Sequence, residues 1–106
     1  MINVSDLGNP TVRDLVRAIN ANDRDAFYGA FTPDATMSDD GSDRELRQWA
    51  EREIFSSHGH MDIVSASDDG TSLIADYRND TWGAMRTTWT FHVQDGKINR
   101  VETGQA

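Results

Sequence analysis

Phe31-Thr32-Pro33-Asp34-Ala35-Thr36-Met37-Ser38-Asp39-Asp40-Gly41 is the stretch on which the reading of this chain turns. It follows the helical run Asn20-Ala21-Asn22-Asp23-Arg24-Asp25-Ala26-Phe27-Tyr28-Gly29-Ala30. Together the two predict a helix end, a second short helix, and a brief strand that stops in acidic residues. Upstream, Asn9 is a natural N-cap and Pro10 suits the first helical turn. Val12, Leu15, Val16 and Ile19 recur at helical spacing and mark a buried stripe. Asn22 tolerates the left-handed conformation that ends such a helix. Asp23 then caps a second helix, expected to turn Ala26, Phe27, Ala30 and Phe31 inward, and Pro33 prevents its continuation.

Downstream, residues 35–38 are expected as a short strand at the sheet edge. Gly41-Ser42 breaks it, and Ser42-Asp43-Arg44-Glu45 reads as a capping box for a third helix. Leu46, Trp49, Ala50 and Ile54 share one face of that helix. Arg44, Arg47, Glu51 and Arg52 face water, with Arg47 and Glu51 spaced for an i,i+4 ion pair. After Gly59 the period becomes alternating. Strands are expected over 60–67, 72–78, 84–93 and 97–103. The turns between them are Asp68-Asp69-Gly70, Asn79-Asp80 near Gly83, and Asp95-Gly96, the last a strong hairpin signal. Short links make neighbouring strands antiparallel. Helices first and strands last indicate an α+β fold: three N-terminal helices packed on a curved antiparallel sheet. The third strand of this run puts Met85, Thr87, Trp89, Phe91 and Val93 on its inner face, and Arg86, Thr88, Thr90 and His92 on its outer face.

The chain has 106 residues, which predicts one domain over 1–106 with residues 1–8 as a leader. Apolar residues are 37% of it and mean hydropathy is −0.65, so its elements must be amphipathic. Ten Lys and Arg against 18 Asp and Glu give a net charge of −8, which repels nucleic-acid backbones and anionic membranes. There is no cysteine, hence no disulfide, thiolate catalysis or cysteine zinc site. No stretch approaches the roughly 20 apolar residues of a membrane helix. The first residues lack a signal-peptide pattern, so the expected location is the cytoplasm. No phosphate-binding loop, dinucleotide fingerprint or nucleophile elbow is present. His58 and His60 flank Gly59 without a third ligand at matching spacing, so no metal is expected.

Three phrases carry a family resemblance over roughly residues 10–103. Asn20-Ala21-Asn22-Asp23 resembles an Asn-Ala-Gly-Asp helix link. Phe31-Thr32-Pro33-Asp34-Ala35-Thr36 resembles a Phe-x-x-Asp-Ala-x phrase, and Asp95-Gly96-Lys97-Ile98 a final hairpin. All three belong to the nuclear transport factor 2-like superfamily, which includes ketosteroid isomerases and SnoaL-like polyketide cyclases. The resemblance implies a cystatin-like α+β cone: a curved sheet closed by helices around a pocket. It implies a small apolar ligand, no cofactor, and a homodimer paired through the outer sheet face.

The resemblance also places Asp39 where ketosteroid isomerases keep a proton-transferring carboxylate. Apolar neighbours Met37, Met85 and Phe91 are expected to raise its pKa by desolvation, as suits a general base. Against this, Ser-Asp-Asp-Gly is also good turn chemistry before a helix. Leu15 and Trp89 stand where those isomerases keep an oxyanion-binding Tyr and protonated Asp, so of these two only the Trp89 indole N–H is a donor. Trp89, Met85, Thr87, Phe91, Tyr28 and Trp49 are the expected ligand-binding residues. Asp76 and Arg86 are expected to form a cross-strand ion pair. Three functions stay open: a cofactor-free isomerase or cyclase using Asp39, a non-catalytic binder of a small apolar molecule, and a dimeric interaction module.

Overall fold

The computed structural model describes residues 1–106. Helix α1 (Pro10–Asn20) starts at Asn9, whose side-chain oxygen accepts the Thr11 and Val12 N–H groups at 3.0 and 3.1 Å. Its stripe of Val12, Leu15, Val16 and Ile19 is buried. Asn22 takes a left-handed φ of 55°. Asp23 caps α2 (Arg24–Gly29) by accepting the Ala26 N–H at 3.1 Å. Phe27 turns inward as expected, whereas Ala26 faces solvent.

Strand β1 (Phe31–Asp39) is longer than the sequence predicted. It takes in Pro33 because its register on the neighbouring strand is interrupted between Phe31 and Thr36, where a missing N–H breaks no ladder bond. The capping-box expectation is corrected. Ser42–Arg44 is strand β2, paired with β1, and Asp40-Gly41 is the two-residue turn between them. Both turn residues have positive φ, 49° and 83°, as the tightest hairpins require. Glu45 alone caps helix α3 (Leu46–Ala50) by accepting the Gln48 N–H. The helix then widens into a π-type turn over Glu51–Phe55. Arg47 does not pair with Glu51. It lies over the Tyr28 ring at 3.9 Å, and Glu51 binds Arg24 and Tyr28 instead.

Strands β3 (His60–Ala66), β4 (Ser72–Asn79), β5 (Gly83–Gln94) and β6 (Lys97–Gln105) form the expected antiparallel meander. The Asp95-Gly96 turn has φ values of 52° and 76°. The six-stranded order is β2-β1-β6-β5-β4-β3. Strand β1 therefore lies inside the sheet, not at its edge, and its pairing with β6 is parallel. The edge beyond β1 is the three-residue β2, and the opposite edge is β3. Residues 1–8, expected as a leader, are anchored: the Ile2 N–H donates to the Ile63 carbonyl and Leu7 is buried. Inward residues of β4, β5 and β6, among them Leu73, Ala75, Trp89, Phe91, Ile98 and Val101, join the helix stripes in one core. The architecture is α+β, three helices on a curved sheet. No helix is long and apolar enough to cross a membrane.

Candidate functional site

Asp39 is the last residue of β1, and Asp40 takes the turn position beyond it. Two residues before it, Met37 is fully buried, so the alternation of the strand turns Asp39 toward the same inner side. There it borders a cleft of about 280 Å³ together with Trp49 of α3 and Met85, Thr87 and Trp89 of β5. Five of the seven residues expected at the site are thus brought together. Phe91 is not at the cleft: it is core, stacked on Trp89 with ring centroids 6.2 Å apart. Tyr28 borders a separate groove with Pro33, Leu46 and Arg47. Its hydroxyl donates to Glu51 at 2.8 Å, and burial together with that carboxylate pushes its pKa well above the usual phenol range. Of the apolar neighbours expected around Asp39, Met85 lines the cleft, while Met37 and Phe91 belong to the core.

The polar hydrogens of the cleft's aromatic residues are already committed. The Trp49 indole N–H donates to Asp39 Oδ2 at 3.0 Å, leaving Oδ1 without a hydrogen bond from the protein. The Trp89 indole N–H donates to Thr87 Oγ1 at 2.8 Å, and that hydroxyl donates to the Ala75 carbonyl at 3.2 Å. The donor expected of Trp89 is therefore consumed within the protein. Leu15, expected at the other oxyanion position, is buried in the α1 stripe.

Further residues reach the cleft that the sequence did not single out: Glu53, Tyr77, Asn79, Trp82 and Arg44. The Glu53 carbonyl, in the π turn, accepts the Tyr77 hydroxyl at 2.7 Å and the Asn79 amide at 2.9 Å. Burial, with Glu53 nearby, raises the Tyr77 phenol above its ordinary range. The Glu53 carboxylate accepts the Trp82 indole N–H at 2.9 Å. Arg44 pairs opposite Met37 across the β1–β2 hairpin, so it shares a face with Asp39, and it has no ion-pair partner. A free cation on that face was legible only if Ser42–Arg44 had been read as strand.

The remaining polar candidates lie in local pairs. Asp76 and Arg86 face each other across β4 and β5 at 2.9 Å, and the guanidinium holds the Asp76 carboxyl below its usual range. His58 Nδ1 meets Asp80 at 2.6 Å, and His60 Nε2 meets Asp62 at 3.0 Å.

A curved sheet closed by helices, with an inward carboxylate at the open end of an aromatic cleft, defines a cone-fold pocket protein. No protein-family model matches the chain, and no curated protein is significantly similar to it in sequence. Solved structures are similar. A candidate polyketide cyclase from Sinorhizobium meliloti is 25% identical, with a TM-score of 0.76 over 96% of this chain and 99% of that one. A nuclear transport factor 2-like protein of unknown function from Cytophaga hutchinsonii is 13% identical, with a TM-score of 0.72 over 100% and 92%. A Catenulispora acidiphila protein with a ketosteroid isomerase-like fold, in complex with trimethylamine, is 17% identical, with a TM-score of 0.68 over 90% and 85%. The chain has the nuclear transport factor 2-like, cystatin-type fold.

Proposed function

We propose that the cleft binds a compact small molecule, with Asp39 as its principal polar contact. One observation carries this: Asp39 has one oxygen fixed by Trp49 and the other free, at the wall of a cleft shared with Trp89, Met85 and Thr87. Ligand pockets for drug-sized molecules run roughly 300–1,000 Å³, so a volume near 280 Å³ suits a smaller ligand. The trimethylamine complex of the Catenulispora protein supports small-molecule occupancy in this fold. The test is NMR titration of the ¹⁵N-labelled chain with compact amines, alcohols, ketones and acids. At least one compound is expected to move the indole resonances of Trp49 and Trp89, and to bind Asp39→Asn differently. If no compound perturbs either indole, the cleft is not a binding site.

A second reading is proton transfer next to a carbonyl group, with Asp39 as general base. The candidate polyketide cyclase among the similar structures favours it. The cleft's tryptophan and tyrosine donors are committed elsewhere, so the groups left to polarise the carbonyl oxygen are the guanidinium groups of Arg44 and Arg52. One missing oxyanion donor costs about a hundred- to a thousand-fold in rate. Exchange of ketone α-hydrogens with deuterated solvent should therefore be slow, and Asp39→Asn should lower it by about a hundred-fold or more. A rate that ignores Asp39→Asn would remove the catalytic reading and leave the binding one.

The outer face of β5 is the proposed surface for a homodimer. Arg86, Thr88 and His92 are exposed there, with Thr90 partly so, and Ile74 stands opposite Thr88 on the same face. Arg86 and His92 each meet a carboxylate, Asp76 and Glu102, which lowers the cost of covering them. Sedimentation at micromolar concentration should give a dimer that Thr88→Lys weakens. A monomer in the unsubstituted chain would reject the surface.

A further inference from the structure

Three indoles and a phenol meet at this cleft, and none has a polar hydrogen left for a ligand. Trp49 donates to Asp39, Trp82 to the Glu53 carboxylate, Trp89 to Thr87, and Tyr77 to the Glu53 carbonyl. Trp49, Tyr77 and Trp89 are buried against one another, so the ring surface open to a ligand is that of Trp82, and the free carboxylate oxygen is Asp39 Oδ1.

Trp82 adds a second observation. It is 63% exposed, yet it is held at both ends. Its backbone N–H donates to Asn79 Oδ1 at 2.8 Å and its indole N–H to Glu53 at 2.9 Å. Glu53, which holds it, has a side chain only 14% exposed, so the cleft contains a largely sequestered carboxylate besides Asp39.

We propose that the cleft takes a compact alkylammonium cation, its alkyl groups against the Trp82 ring and its charge facing the free oxygen of Asp39. This rests on the small-molecule reading above and names the ligand class. Ring faces attract cations through their quadrupole, most strongly for tryptophan and most of all where water is excluded. A neutral carbonyl ligand would find no donor among the aromatic residues and would depend on Arg44 or Arg52.

Two cations oppose the proposal. Arg52 is paired with Glu53 at 3.4 Å. Arg44 is exposed on the edge strand and unpaired, so it competes with a cationic ligand for Asp39. Asp40, also at the cleft, has Oδ1 engaged by the Gln105 N–H. The chain's net charge of −8 favours approach of a cation.

Choline and its neutral carbon isostere, 3,3-dimethylbutan-1-ol, separate charge from shape. In titrations followed by ¹H–¹⁵N NMR at constant ionic strength, choline should move the indole resonances of Trp82 and of Trp49, which donates to Asp39. The isostere should bind at least about ten-fold more weakly. Trp82→Ala and Asp39→Asn should each weaken choline binding by about ten-fold, and Arg44→Ala should strengthen it. Trp82 is exposed and Asn is isosteric with Asp, so both variants should fold. Equal binding of choline and isostere would sink the cation and leave the small-molecule reading. Binding of another compound class with no response to choline would do the same. A cleft that binds nothing sinks both.

Discussion

Thr87 is the residue on which Trp89 depends. Its hydroxyl accepts the indole N–H and passes its own hydrogen to the Ala75 carbonyl, in a fully buried relay. Thr87→Val keeps the shape and deletes the acceptor. The orphaned indole N–H should cost about 1–3 kcal/mol. Urea denaturation measures it, and an unchanged midpoint would mean that the N–H finds another partner. Alternation along β5 made Met85, Thr87 and Trp89 legible as inward residues. It could not tell that Phe91, on the same face, is core and not wall, because a period of two gives the side of a sheet and not the depth. Glu53 and Trp82 were illegible for another reason: their hydrogen bond joins residues 29 apart in the chain. Nothing local in either segment announces it.

Among the elements, the π turn over Glu51–Phe55 brings Arg52 and Glu53 to the cleft, and the link after it turns at Gly59. Glycine makes this possible. A Cβ there would stand 2.1 Å from the Tyr77 hydroxyl oxygen and 3.1 Å from the Ile54 Cα. Gly59→Ala must displace Tyr77 or the backbone, and should cost about 1–3 kcal/mol as overpacking does. Thermal unfolding reports the loss, and the Tyr77 ring resonances should shift with it. An unchanged melting temperature would show that the link yields freely. The sequence showed where the chain turns here, at Gly59, but not why it must be glycine. It also misled at Ser42-Asp43-Arg44-Glu45, since a capping box and a short return strand ending at a helix cap share the same residue types. The Asp40-Gly41 pair decides for the hairpin, because both residues occupy the positive-φ region it demands.

Over the whole molecule, three carboxyls titrate below their ordinary range in the folded state. Glu51 is held down by hydrogen bonds from Tyr28 and then Arg24, Asp69 by the Ser67 hydroxyl and Thr71, and Asp76 by Arg86. A folded pKa below the unfolded one stabilises above the unfolded value, near 4, and that stability is lost as pH falls through the folded value. The melting temperature should therefore drop as acid passes below the ordinary carboxylate range. Asp76→Asn should flatten part of that drop. A variant as acid-sensitive as the parent would assign the loss to other groups. At this scale the sequence was most informative, because the β3–β6 meander is built from neighbouring strands whose turns announce themselves. The parallel seam was hidden, since it joins the two ends of the sheet-forming sequence.

That seam has a kinetic consequence. Each pair of the meander closes over a turn of a few residues, whereas Phe31 meets Ile98 and Asp39 meets Thr103. Closure entropy grows with loop length and must be met before the distant contact returns anything. The order of assembly favoured by this topology is the meander first, with β1 and its hairpin docking on β6 afterwards. In the interval β6 is a bare strand edge, open to pairing with another chain. Asp39, at the far end of that seam, reaches the cleft only when the last strand is in place.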